Sequence, residues 1–507
     1  SMRPVYNADG DCGIVFRLRS AFSLSRDRVP TGLELEEATM VPSSGLIPPD
    51  LDTHIHEQIA RWTVPGVVVG VLREGERETR AYGVASIETG YPVRPDTLFP
   101  IGSISKVYTA ALIMTLVGDG ALDLDAPVAT YLPNLRLADE RARDAINLRQ
   151  LLTHQSGMYG DYYDDFGMGD DALTRCVASF HTLRQLTAPG ELWAYCSSGF
   201  MLAGSVAEVV TGQPFETAMR ERLFAPLGLD RSFFFAQEAI VYPTASGHAL
   251  TMPGGDEHEV TRRYLLSRNV APAGGVISDA DDLLSFAAFS MGDGAWNGRH
   301  VLSPDALEAM RMPQVRAANY PAAGFAEWGG LGWAVRFIDG VKVVEHGGSL
   351  SGFQVKLKIV PAQRFAIAIL TNSGRGGVLA DRAAEWALDH LLDLRAPGHT
   401  TIALPNDALA RFAGRYRLAV DDMEELAITV ADGGLRCVMK ETDPTTGSEE
   451  VYPPDLLRPI AAREFVVVTK GENEGAQIDF IERGDGSIRF LRRGGRLYEP
   501  AVDAADA

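Results

Sequence analysis

Apolar and polar positions follow two rhythms along this chain, and the rhythm changes in blocks. Leu51 to Trp62 repeats at helical spacing and predicts an amphipathic helix. Gly66–Leu72 and Arg77–Val84 then predict two strands of a hairpin, joined by the turn-rich Arg73-Glu74-Gly75-Glu76. A strand-like Thr97–Gly102 leads into the apolar run Val107–Met114, which reads as a core helix. From about Leu122 to about Met312 the pattern is largely helical. It includes the runs Met201–Val210 and Phe215–Leu223 and a capped helix start at Asp279–Leu284. Strand patterns return at Gly332–Phe337, Val341–Glu345, Phe353–Ile359 and Phe365–Thr371, and Val378–Leu392 closes the block as a helix. Strands at both ends of a helical centre predict an α+β fold: an antiparallel sheet flanked by helices plus an all-helical subdomain, with the site at their junction.

Beyond Leu394 the texture changes. Residues 395–406 have linker composition, and 407–507 break into short strands between Gly/Asp turns, such as Leu426–Val430, Leu435–Met439, Glu464–Thr469, Ile478–Ile481 and Ile488–Leu491. A segment of this size and pattern predicts a small antiparallel β-barrel. Residues 1–45 have no sustained period and read as an N-terminal arm, which leaves 46–394 as the main domain.

Composition narrows the function classes. With 507 residues the chain is too long for one core. A net charge of -20 argues against nucleic acid or an anionic membrane surface as partner. Four cysteines, Cys12, Cys176, Cys196 and Cys437, are scattered without the close pairs of a zinc or dithiol site. His54 and His56 have no matching ligand cluster, so neither metal nor cofactor is expected. No segment approaches the roughly 18–20 apolar residues of a membrane span. No basic-then-apolar leader follows Met2, which points to the cytoplasm; an exported protein whose leader had been trimmed would look the same.

The chemistry is concentrated in Ser103-Ile104-Ser105-Lys106. A serine three residues before a lysine at a helix start puts both side chains on one face, near the first-turn N–H groups. Two further motifs follow in order: Tyr195-Cys196-Ser197 before a small-residue helix, and His346-Gly347-Gly348-Ser349 at the end of the strand Val341–Glu345. Between them lie Leu151-Leu152-Thr153-His154-Gln155-Ser156-Gly157 and Ala271-Pro272-Ala273-Gly274-Gly275. With these motifs the chain resembles, from about Leu46 to about Leu394, the serine hydrolase family of class C β-lactamases, D-alanyl-D-alanine carboxypeptidases and carboxylesterases. Phe412–Arg417 resembles the opening strand of the lipocalin-like domains appended to that family.

The resemblance implies an acyl-enzyme on Ser103, with Lys106 activating it, Tyr195 relaying a proton and His346 in the third motif. Lys106 and Tyr195 both remain open as the general base. It also implies an oxyanion hole from the backbone N–H groups of Ser103 and Ser349, with substrate lying along Gly347 and Gly348. Two departures bear on substrate. His346 stands where the family often has lysine, and a histidine is mostly uncharged near neutral pH. Ser197 stands where asparagine is usual and offers no paired amide donor and acceptor. Both weaken recognition of β-lactams and D-Ala-D-Ala termini while tolerating esters and small or modified peptides. The segment Tyr159–Phe166, with Tyr159 and Tyr162, is a candidate loop for an aromatic or cationic substrate group. Hydrolysis of a small-molecule or peptide ester or amide is the leading expectation. Acyl transfer or peptide cyclisation on the same machinery, and an inactive binding protein of the same fold, are the rivals. The barrel is expected to shape the cleft mouth, with all four catalytic residues upstream of it. The sequence does not specify an oligomeric state.

Overall fold

The computed structural model describes residues 45–252, 254–317, 327–419, 424–442 and 447–501. The predicted arm up to Ser44, including Cys12, lies outside the described residues. Helix Pro49–Trp62 (α1) starts with proline near its first position, where no intrahelical N–H partner is needed. Gly66–Arg73 (β1) and Glu76–Gly83 (β2) pair as an antiparallel hairpin closed at Arg73↔Glu76. Its turn residues Glu74 and Gly75 both take positive φ, +51° and +92°, the turn geometry that matches strand twist.

β1 is apolar at almost every position because both of its faces are covered. Val67, Val69 and Val71 pack with Leu51 and Ile55 of α1 and with Leu379, Ala383 and Leu388. Val68 and Leu72 join the opposite core, shared with the helical subdomain. Burying each such side chain is worth about 1.5–3 kcal/mol, which is why this strand shows no polar alternation.

The helical subdomain contributes Ser105–Gly118 (α2), Ser197–Thr211 (α3) and Ala280–Met291 (α4). α2 is buried from Ser105 through Leu116, consistent with its apolar residues on every face. α4 begins as predicted, with the Asp279 carboxylate accepting the Asp282 N–H at 2.9 Å. The sheet is completed by Ala334–Ile338 (β3), Val341–Leu350 (β4), Phe353–Val360 (β5) and Phe365–Thr371 (β6). Its order is β2-β1-β6-β5-β4-β3, extended by Trp328–Gly329 and Val315–Arg316, and all pairings are antiparallel. Helix Gly376–Leu392 (α5) covers the face shared with α1. β4 runs farther than its apolar pattern suggested. It continues through the glycine motif to Leu350 because β5 pairs with it as far as Leu350↔Phe353. β3 reaches only Ala334↔Glu345, so on that side the edge of β4 is unpaired by β3 from His346 onward.

The C-terminal strands are Gly414–Leu418 (β7), Glu424–Ala431 (β8), Gly434–Thr442 (β9), Asp455–Ala461 (β10), Glu464–Val467 (β11), Gln477–Glu482 (β12), Ile488–Arg493 (β13) and Arg496–Pro500 (β14). Each pairs with its neighbour in sequence, and β14 returns to β7, closing an eight-stranded antiparallel barrel. Its interior is filled: the rings of Phe412, Phe465 and Phe480 lie 4.5–5.7 Å apart in one cluster. The described residues from Gly45 to Ala501 form one compact unit.

Candidate active site

Ser103 sits in the 3₁₀ turn Gly102–Ile104 that leads into α2. Gly102 takes φ +51°, and a Cβ there would lie 2.8 Å from the Ser349 backbone nitrogen. Glycine is therefore what lets β4 pass directly over the serine turn. One turn along α2, Lys106 Nζ lies 3.1 Å from Ser103 Oγ and donates to the Ala273 carbonyl at 2.7 Å. That carbonyl comes from the Ala271–Gly274 turn, whose Pro272 carbonyl also accepts from Thr109 Oγ1 at 2.6 Å. The Ala271–Gly275 motif thus serves as the clamp that holds α2 and aims its lysine. Burial, reinforced by the Arg496 charge, pulls the Lys106 amine down to about 7.

Tyr195 is fixed through its backbone. Ala194 N–H donates to the His154 carbonyl at 2.9 Å and Cys196 N–H donates to His154 Nδ1 at 2.9 Å. His154 itself takes φ +60°, and its ring stacks on that of Tyr195 at 4.4 Å. The Leu151–Gly157 motif therefore supplies a neutral histidine, held uncharged first by burial and then by Lys106, that anchors the tyrosine from below. The Tyr195 hydroxyl is hydrogen-bonded to Ser103, and burial raises its pKa well above that of a free phenol. Lys106 Nζ lies 4.9 Å from the ring centre.

The third support comes from the barrel. Tyr195 N–H donates to the Gly495 carbonyl at 2.9 Å. Gly494 and Gly495 form the β13–β14 turn with φ +55° and +78°, and a Cβ on Gly495 would lie 2.9 Å from Tyr195 Cβ. Next along, Arg496 stacks its guanidinium 5.0 Å from the Tyr195 ring centre and grips Asp161 with two hydrogen bonds of 2.9 and 3.0 Å. Burial opposes the charge on Arg496, and the Asp161 carboxylate more than restores it. Arg492 adds a bond to the Trp193 carbonyl at 2.8 Å. The barrel was expected to shape the cleft mouth; the structure brings its Gly495 and Arg496 against Tyr195 itself. The only sequence trace of this is a Gly-Gly turn between arginines, which looks like any exposed hairpin.

β4 forms the opposite wall. A Cβ on Gly348 would collide with the Ile101 carbonyl and lie 3.4 Å from the Ser103 nitrogen. His346 is held uncharged, down to about 3, by burial and then by Lys106, while its Nδ1 lies 2.6 Å from the Gly347 carbonyl. Ser103, Tyr195, His346, Gly347, Gly348 and Ser349 line one cleft of about 650 Å³, together with Tyr163 and Arg496. A larger cavity of about 890 Å³ behind the sheet, lined by Arg336, Glu345 and Trp386, holds none of these groups.

Three expected substrate contacts need correction. Tyr159 is buried in the helical core, and Tyr162 packs on Phe180 with its hydroxyl 3.0 Å from Ser179 Oγ. Tyr163 is the residue of that segment that faces the cleft. Its hydroxyl donates to Asp161 at 3.0 Å and lies 3.2 Å from Ser197 Oγ, so buried Ser197 meets Tyr163 rather than the open cleft. Among the described residues no group of His, Cys, Asp and Glu could hold a metal ion, and no helix is long and apolar enough to cross a membrane.

The family model described as Beta-lactamase matches residues 51–392. The chain belongs to the Beta-lactamase family. Penicillin-binding protein 4 of Amycolatopsis lactamdurans is 38% identical over 312 residues, 61% of this chain and 81% of that protein. Esterase EstB of Burkholderia gladioli is 30% identical over 352 residues, 62% of this chain and 82% of that protein. The crystal structure of SurE with D-Leu matches with a TM-score of 0.68 at 27% identity, covering 89% of this chain and 99% of that one. That share exceeds what residues 51–392 can supply, so the likeness of this Beta-lactamase family member extends into its barrel.

Proposed function

We propose that this protein is a serine hydrolase that cleaves an ester or amide of a small or modified peptide through an acyl-enzyme on Ser103. The observation that carries the reading is a buried lysine, its amine near pKa 7, 3.1 Å from a serine oxygen. Burial moves the two candidate bases in opposite directions. It gives Lys106 a substantial neutral fraction near pH 7 and keeps Tyr195 a protonated phenol. Lys106 therefore takes the Ser103 proton as Oγ bonds to the substrate carbonyl carbon. The resulting oxyanion is received by the N–H groups of Ser103 and Ser349. As the carbonyl reforms, the bond to the leaving oxygen or nitrogen breaks and the Tyr195 hydroxyl supplies its proton. The proton taken by Lys106 returns to Tyr195. Water then attacks the acyl carbon and gives a proton to Lys106, which passes it to Ser103 Oγ as the acyl bond breaks, releasing the acid and free Ser103.

Substrate choice follows from the wall opposite Tyr195. His346 offers no cation beside the nucleophile, and Ser197 is occupied by Tyr163, so weak or no β-lactamase activity accompanies ester or amide cleavage. The names of relatives, an esterase and a D-aminopeptidase of Brucella canis among them, support this class.

A fluorophosphonate should add one adduct to the wild type, mapped to Ser103 by peptide mass spectrometry, and none to Ser103→Ala. Labelling of the mutant at the wild-type rate would remove Ser103 as nucleophile. The close approach of β4 gives a second expectation. Gly348→Ala forces the strand off Ile101 and displaces the Ser349 N–H, and should cost about a hundredfold in kcat/KM toward p-nitrophenyl acetate with circular dichroism unchanged. Unaltered turnover would show that the Ser349 donor is not used.

A further inference from the structure

The two glycines of β4 face opposite ways. A Cβ on Gly348 would point at Ser103, whereas one on Gly347 would lie 3.6 Å from Lys356 Nζ on the neighbouring strand. Lys356 stands opposite Gly347 in the β4–β5 register and lines the same cleft as Ser103, although only 5% of its side chain is exposed. An ammonium carries three N–H donors. Among the described residues, one carboxylate lies within ion-pair distance of Lys356: Asp381 Oδ1 at 2.6 Å. The other cations of the cleft are committed, Arg496 to Asp161 and Arg382 to Glu474 at 3.2 Å. His346 is uncharged and Lys106 is engaged with the nucleophile.

We infer that Lys356 is a substrate-binding residue that anchors the C-terminal carboxylate of a peptide substrate, reached past Gly347 around the unpaired edge of β4. A cation with spare donors, held in a nearly dry wall of the cleft, favours an anionic oxygen over a neutral amide. The strand between Lys356 and Ser103 sets the spacing. A peptide carboxylate two residues beyond the scissile bond rounds Gly347, whereas the carboxylate of a β-lactam, held two bonds from its scissile nitrogen, does not. Gly347 is then the doorway: any side chain there would fill the approach to the ammonium. Asp381 holds the lysine in place until the substrate carboxylate joins it.

This inference rests on the reading of Ser103 as the nucleophile, and the two are separable by experiment. Binding is measured calorimetrically on full-length Ser103→Ala, which cannot turn substrate over. The probes are a panel of acetylated tripeptides with D- or L-residues, each as C-terminal acid and as C-terminal amide. The expected result is at least one acid bound about tenfold or more tightly than its amide, with the preference lost when Lys356→Met is added. Equal affinity across all pairs, no binding at all, or a preference that survives Lys356→Met would overturn the inference. If the methionine variant does not fold, Asp381→Asn decides the matter. It leaves the ammonium without its resident carboxylate and should widen the acid preference, and a narrowing counts against the anchor. Fluorophosphonate labelling of wild type reports on Ser103 alone. An unlabelled protein with an intact acid preference would sink the hydrolase reading and leave the anchor standing.

Discussion

Lys106→Met, which keeps side-chain length and removes the amine, should lower kcat/KM toward p-nitrophenyl acetate by about a thousandfold. The fluorophosphonate rate should fall with it, since both reactions need the Ser103 proton removed. A base works only when deprotonated, and burial has brought the Lys106 amine from 10.5 down to about 7. Wild-type kcat/KM should therefore be lost as pH falls below about 7 and level off above it. Arg496 contributes to that depression, so Arg496→Met should move the acid limb toward higher pH. Leaving Asp161 without its partner acts in the same direction. A pH profile unmoved by Arg496→Met would show that the guanidinium only packs against Tyr195. A Lys106→Met enzyme within tenfold of wild type would transfer the base role elsewhere.

Removing the barrel by truncation after His399 should cost at least about a hundredfold in turnover of even a small activated ester. Tyr195 loses the Gly495 carbonyl that holds its N–H, the Arg492 bond to Trp193 beside it, and the guanidinium over its ring. Asp161 loses both of its hydrogen bonds to Arg496, and with them a restraint on the segment beside Tyr195. A truncated chain that is folded by circular dichroism and retains small-ester turnover within tenfold would reduce the barrel to a wall of the cleft.

The strand and helix plan was legible because burial on both faces or on one face leaves opposite signatures. β1 and β6 read as continuous apolar runs, and α4 announced itself through the Asp279 cap. The proximity of Ser103 and Lys106 was legible because three-residue spacing at a helix start puts both side chains on one face, whereas Tyr195 was picked out only by its separate motif ahead of the helix from Ser197. The contacts that tune them were hidden for a physical reason. Arg496 reaches Tyr195 only once β14 has paired with β7 across the barrel, and no local pattern encodes that closure. Lys356 was hidden likewise: in sequence it is one of two lysines in an apolar strand, and only the β4–β5 register sets it behind Gly347. Tyr163 rather than Tyr162 faces the cleft because the segment between Gly160 and Phe166 is irregular, so no helix or strand period assigns its side chains a side.

The distance along the chain between Ser103 and Arg496 bears on the life of the protein before it is finished. A ribosome adds about 5–20 residues per second, so the nucleophile, its lysine and its tyrosine are all made many seconds before the arginine that stacks on that tyrosine. During that interval the emerging polypeptide holds the reactive groups without their last support. A chain halted before β14 is made should therefore turn over a small ester far more slowly than the finished protein.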